Sequence, residues 1–111
     1  MKLARKSLAT LSLLVLLSAN ASAALITSTG PVANLRIEGN AGFIGLTQSM
    51  AGFSTCGTRV WVDMTSSLGR AIYATAMMAF TTKQSVIIRA AEEFPRVFGE
   101  CQLYDIYVPQ S

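Results

Sequence analysis

"TSSLGRAIYATAMMAF", residues Thr65 to Phe80, is the stretch on which the fold turns. Thr65, Ser66 and Ser67 offer side-chain oxygens to the unpaired amides of a helix start. The run that follows keeps helical spacing to about Thr82. Between Arg70 and Thr81 the only polar side chains are Tyr73 and Thr75. Leu68, Ile72, Ala76 (with Thr75) and Ala79 make one apolar stripe, and Tyr73, Met77 and Phe80 make another about 100° round, with Met78 beside it. A small domain buries one side of a helix. The second stripe therefore needs a cover, and the expectation is a subunit interface formed by Tyr73, Met77, Met78 and Phe80. The alternative is a monomer in which loops 48–57 and 91–100 fold over the helix.

The flanking segments read as strands. Ala33, Leu35 and Ile37 alternate with Asn34, Arg36 and Glu38, which marks a strand with one wet face. Gly39-Asn40 is a two-residue hairpin signal. Phe43 to Thr47 then returns antiparallel, with Gly42 and Gly45 permitting a bulge or sharp coiling. After a loop at Gln48 to Gly57, Val60, Val62 and Met64 face one way and Arg59, Trp61 and Asp63 the other. Beyond the helix, Gln84 to Ala90 is apolar on both faces and reads as a covered strand. Ala91 to Glu100, with Pro95 and Gly99, is a loop, and Cys101 to Val108 is a fifth strand. The fold class is thus mainly β with one helix. Three strands, a helix and two strands in one short domain fit the five-stranded Greek-key barrel called the OB-fold, with the helix between strands three and four. A sheet with one helix packed on it is the other arrangement this order allows.

The first 23 residues are set apart. Lys2, Arg5 and Lys6 precede the apolar run Leu11 to Leu17 and the small-residue site Ala21-Ser22-Ala23, the pattern of a secretory signal peptide. The run is too short to span a bilayer. One domain, 24–111, is expected after cleavage, exported to the periplasm or secreted. Nine Lys and Arg minus three leaves six, which balance the six acidic residues, so the formal charge of the remainder is zero. The arginines are scattered, which argues against nucleic acid. The length is 111 minus 23, or 88 residues, and so small a domain often needs a covalent staple. In an exported chain, Cys56 and Cys101 are most simply a disulfide, with two free thiols as the alternative. In an OB-fold, strands three and five lie side by side, and the two cysteines precede or open those strands.

Catalysis has little to draw on. The chain has no His, and its carboxylates form no obvious acid–base pair. Asp63 and Asp105 sit on neighbouring strands, where pairing with Arg59 or Arg89 is the simpler reading than a catalytic dyad. Glu92-Glu93 reads as solvated surface. No metal site or cofactor is expected, since His and free thiolates are lacking and no loop has calcium-ligand spacing. Binding is better served. Arg59 and Trp61 share a strand face, and a flat ring beside hydrogen-bonding groups suits a sugar. Phe94 and Phe98 flank Pro95-Arg96-Val97 in a loop that OB-folds use for ligands. Packing under a loop or in an interface is the structural alternative for each of these residues.

The stretch Cys56 to Ala90, "CGTRVWVDMTSSLGRAIYATAMMAFTTKQSVIIRA", followed by a loop, a Cys and a last strand, resembles the B subunit of subtilase cytotoxin and small exported proteins like it. The matching features are a Cys before an aromatic-containing strand, a Ser-rich turn into Leu-Gly-Arg-Ala-(apolar)-Tyr-(small)-Thr-Ala, a Lys at the helix end, a hydrophobic strand and the second Cys. The resemblance covers Cys56 to Val108, and the N-terminal hairpin only in pattern. It implies an OB-fold assembled into a ring of five, with sugars of host glycoproteins on the outer barrel and, in some relatives, an enzymatic A-type toxin subunit as partner. Thr81-Thr82 replaces the usual glycine after the helix, and the sugar-contacting positions have no counterpart motif in Ala24 to Glu38. The expected function is an oligomeric, non-catalytic glycan-binding module. The alternative is an envelope structural or protein-interaction module with neither toxin partner nor glycan ligand.

Overall fold

Alternation along the third strand sorts the molecule into inside and outside. In the computed structural model, which describes residues 25–52 and 54–110, Val60 and Val62 enter the main core while Trp61 between them joins a second cluster with Ala41 and Phe43. The expected signal peptide, 1–23, and residue 24 lie outside the described residues. The elements follow as β1 (Ile26–Glu38), β2 (Ala41–Leu46), β3 (Arg59–Asp63), α1 (Ser67–Thr82), β4 (Ser85–Ala91) and β5 (Cys101–Tyr107). The sheet runs β1-β2-β3-β5-β4 and closes into a ring because β4 returns to pair with β1. Every pairing is antiparallel except β3 with β5, where Val60 lies opposite Cys101 and Trp61 opposite Gln102. The protein is therefore mainly β, with one helix among the described residues, placed between the third and fourth strands.

Closure depends on the length of β1. The alternating segment Ala33 to Glu38 is only its second half. Ile26 to Pro31 pairs with β4, and Val32 to Glu38 pairs with β2, so one strand serves both edges of the ring. The change of partner falls between Pro31 and Val32, just after Gly30, whose φ of 151° suits glycine and where a Cβ would press on Thr47. The bulge next to it lies on β1, between Val32 and Asn34. β2 does not carry it. Gly42 and Gly45 instead make room, the first for the Tyr73 ring and the second for the Asn34 side chain.

The parallel β3–β5 seam is the shortest in the ring, and the disulfide lies at its start. Cys56 and Cys101 are bonded, with Cα atoms 5.2 Å apart. Both are buried. Closing a loop of this sequence separation stabilises by about 4 kcal/mol at most in the chain-entropy picture.

Helix α1 packs against all five strands and closes one end of the ring. Ser66 caps it, accepting from the Gly69 amide at 2.9 Å while its hydroxyl donates to the Asp63 carbonyl at 3.1 Å. Gly69 is where helix and strand nearly touch, since a Cβ there would collide with the Asp63 carbonyl oxygen. This contact sets the helix's rotation. Gly69, Ile72, Tyr73, Ala76 and Ala79 are turned inward. Two expectations need correcting. Leu68, assigned to the inner stripe, is exposed because the Gly69 contact turns it outward, and Tyr73, assigned to the outer stripe, is 5% exposed over Gly42. At the other end Lys83 takes the left-handed conformation, φ 60°, and its amide closes the helix on Ala79 and Phe80. Substituting Gly69→Ala should test the helix–strand contact by thermal unfolding. On an exposed helix this change stabilises by about 1 kcal/mol. Here it is expected to lower the melting temperature, and a rise would mean that the contact is slack.

Candidate functional site

The outside of β2 and β3 is covered by chain that has no regular structure. Phe43 and Trp61 sit opposite each other on the two strands, and loop 92–100 folds over them. The Trp61 indole donates to the Pro95 carbonyl at 3.1 Å, and Val97 packs on the same cluster. Phe98 stacks on Phe43 with ring centroids 5.8 Å apart. Arg59 lies over Phe43 at 4.7 Å and donates through Nε to Glu100 at 2.7 Å, which ties the loop's last residue to β3. The loop's other end is tied as well. Thr55 donates to Glu92 at 3.0 Å, and Arg96 donates to the Thr55 hydroxyl at 2.7 Å and the Gly99 carbonyl at 3.1 Å. The adjacent acids thus divide, Glu92 being bonded and Glu93 exposed.

Beside this loop a cleft of about 390 Å³ opens between the β1–β2 turn and β3. Ala41, Trp61 and Val97 line its floor, Phe98 one wall, and Glu38, Asn40, Asp63 and Thr65 its rim. Asp63 Oδ1 accepts both the Thr65 hydroxyl at 2.6 Å and the Thr65 amide at 2.9 Å. Those bonds hold its carboxyl below the usual range, opposed by partial desolvation and aided by Arg70. Phe98 is 69% exposed and sits at φ 53°, with Gly99 following at φ 82°. Two successive positive φ values between the bridged residues Val97 and Glu100 make a tight reversal whose first position usually holds Asn, Asp or Gly.

The four ligand-binding candidates do not form one site. Trp61 and Phe98 share the cleft. Arg59 is held against Phe43 and Glu100. Phe94 is on another flank, tilted against Tyr104 at 6.3 Å, where a second hollow of about 490 Å³ is bordered by Leu68 and β5. Asp63 and Asp105 go to separate partners, Asp63 to Thr65 and Asp105 to Arg89, whose Nε donates at 2.9 Å across the β4–β5 pair. Among the described residues no three His, Cys, Asp or Glu side chains come together as metal ligands would.

The second surface is the outer face of α1. Met77 is 50% exposed, Met78 52% and Phe80 42%, and Ala71 and Ala74, two turns and one turn before Met78, are exposed too. Loop 92–100 does not cover this face, since it lies over Trp61 on the outside of β2 and β3. The threonines there add little polarity. Thr75, Thr81 and Thr82 donate their hydroxyls to the carbonyls of Ala71, Met77 and Met78 at 3.0, 2.9 and 2.9 Å, so the hydroxyls are already paired within the helix. Among the described residues no helix is long and apolar enough to cross a membrane.

Reading the residues alone missed Glu38, Asn40 and Thr65 as neighbours of Trp61. Gly39-Asn40 was informative only as a turn, and the turn's position over β3 is a product of register. Phe98-Gly99 carried a usable signal, since a residue followed by Gly between strand-like partners marks a tight reversal. Comparison of the chain with protein-family models, with curated proteins and with solved structures finds no match.

The Arg89–Asp105 pair gives a pH test. The hydrogen bond from Arg89 lowers the Asp105 carboxyl from its ordinary 3.8, partial burial opposes this, and the guanidinium charge adds to it. A depressed carboxyl stabilises the fold above its unfolded value, and that stabilisation is lost as pH falls through the folded one. The gap in melting temperature between wild type and Asp105→Asn is therefore expected to be flat from about pH 8 to 5 and to narrow below about pH 4. A gap unchanged at about pH 3 would rule the pair out.

Proposed function

We propose that the protein is an exported, non-catalytic binding module of the OB-fold class that assembles with copies of itself through the outer face of α1 and presents its outer sheet to glycans. The observation that carries this reading is the exposure of Met77, Met78 and Phe80 on a folded protomer. Burying one such side chain is worth roughly 1.5–3 kcal/mol, so a wet cluster forfeits several. A patch of this kind marks an interaction surface.

A second copy is the occupant that fits. No charged residue lies between Arg70 and Lys83, so the face can meet itself without opposing like charges. Ala71 and Ala74 let a partner approach closely. The strand order, the parallel β3–β5 pair and the helix after β3 support the OB-fold assignment. The resemblance of Cys56 to Val108 to the subtilase cytotoxin B subunit supports a ring of five and a sugar ligand, with an A-type toxin subunit as a further partner. Export rests on the N-terminal signal pattern and on the disulfide, which persists in oxidising compartments.

Light scattering of the mature chain at micromolar concentration tests the assembly. The wild type should exceed the mass of one chain. Met77→Glu should run as a folded protomer with melting behaviour of its own, because residue 77 makes no part of the core. A wild type that runs as one chain would overturn the self-association.

A further inference from the structure

We propose that the cleft bounded by Asn40, Trp61 and Phe98 binds an uncharged pyranose unit of a glycan, with the sugar stacked on Phe98. This inference rests on the glycan reading above and adds a site and a class of sugar to it.

Phe98 is the starting point. Its backbone is left-handed, its ring is 69% exposed, and the tight turn it occupies favours Asn or Gly. Strain of this kind, held in place by tied loop ends, is a pointer to function. Covering Phe43 accounts for only part of the ring. The rest lines the cleft.

The remaining walls complete a sugar's requirements. Ala41, Trp61 and Val97 offer apolar surface to pyranose C–H groups, and the Trp61 N–H is already given to Pro95. Above them Asn40 can donate and accept, and Glu38 and Asp63 accept. Both internal bonds to Asp63 fall on Oδ1, which leaves Oδ2 facing no partner among the described residues. Vicinal hydroxyls suit such acceptors.

Charge then selects among sugars. Two carboxylates and no Lys or Arg line the cleft. Of the cations nearby, Arg36 pairs with the cleft's own Glu38 at 2.9 Å, while Arg59 is held by Glu100 and Arg70 donates to the Met64 carbonyl, so among the described residues Asp63 is the rim carboxylate without an ion-pair partner. A sialylated or uronic sugar would set a second carboxylate beside Asp63, whereas a neutral hexose or N-acetylhexosamine would not.

Saturation-transfer NMR with the disulfide-bonded mature chain tests this, using methyl glycosides of galactose, glucose and N-acetylglucosamine against sialyllactose, followed by titration of whichever binds. Transfer to an uncharged glycoside is expected. Phe98→Asn, which suits the left-handed position, should weaken binding about tenfold or more while the melting temperature holds or rises. If that variant fails to fold, the exposed-site variants Asn40→Ala and Glu38→Gln carry the same comparison. Binding of an uncharged sugar that these changes leave within about twofold, or a preference for sialyllactose, overturns this site and leaves the glycan reading standing. Transfer to none of the sugars overturns both.

Discussion

One backbone contact governs the architecture: the Asp63 carbonyl occupies the space that a side chain at residue 69 would need. Glycine there lets the first turn of α1 rest on the end of β3, and Ser66 fastens the junction by capping the Gly69 amide and donating to the same carbonyl. With the first turn pinned, the helix's rotation is fixed. Ile72, Tyr73, Ala76 and Ala79 must then face the ring, and Met77, Met78 and Phe80 must face away. The exposed apolar face is thus a consequence of how the helix is attached, and no rearrangement of the helix alone would hide it without breaking the contact with β3.

The same strand holds the other surface. Asp63 ends β3, receives the Thr65 bonds that begin the helix, and borders the cleft beneath Phe98. Trp61, two residues earlier, is the cleft's floor and the anchor of loop 92–100. At the strand's start, the disulfide and the Arg59–Glu100 pair hold that loop's far end. One short strand therefore positions the helix on one side and the aromatic cleft on the other. The two surfaces draw on different residues.

Local patterns in the sequence carried much of this. The Gly39-Asn40 turn, the shared face of Val60 and Val62 and the Ser-rich helix start each follow from a short-range rule, and the structure has each of them, as it has the Cys56–Cys101 bond. The alternation at Ala33 to Glu38 marked a strand but not its dry face, since Ala33 and Ile37 are exposed. The first half of β1 was not legible, because Gly30-Pro31 punctuates the chain as a loop does, and only the pairing with β4 makes Ile26 to Pro31 a strand. The helix's rotation was not legible either. When nearly every side is apolar, spacing alone offers several inner faces, and the choice that buried Tyr73 and exposed Leu68 was made by a glycine meeting a distant carbonyl. The cleft depended on three separated segments brought together by register, of which only Trp61 and Phe98 were distinguishable in advance.

The claim that a second copy shields the outer face of α1 is open to a direct reading of solvent access. Methionine oxidises to the sulfoxide at a rate that follows its exposure, and association responds to dilution by mass action. Brief peroxide treatment of the mature chain at high and low concentration, read residue by residue by mass spectrometry, compares Met77 and Met78 with the part-buried Met64 inside the same protomer. Slower oxidation of Met77 and Met78 in the concentrated sample, with Met64 unchanged, is the predicted result. Identical rates for Met77 and Met78 at both concentrations, each matching that of an open surface methionine, would contradict it.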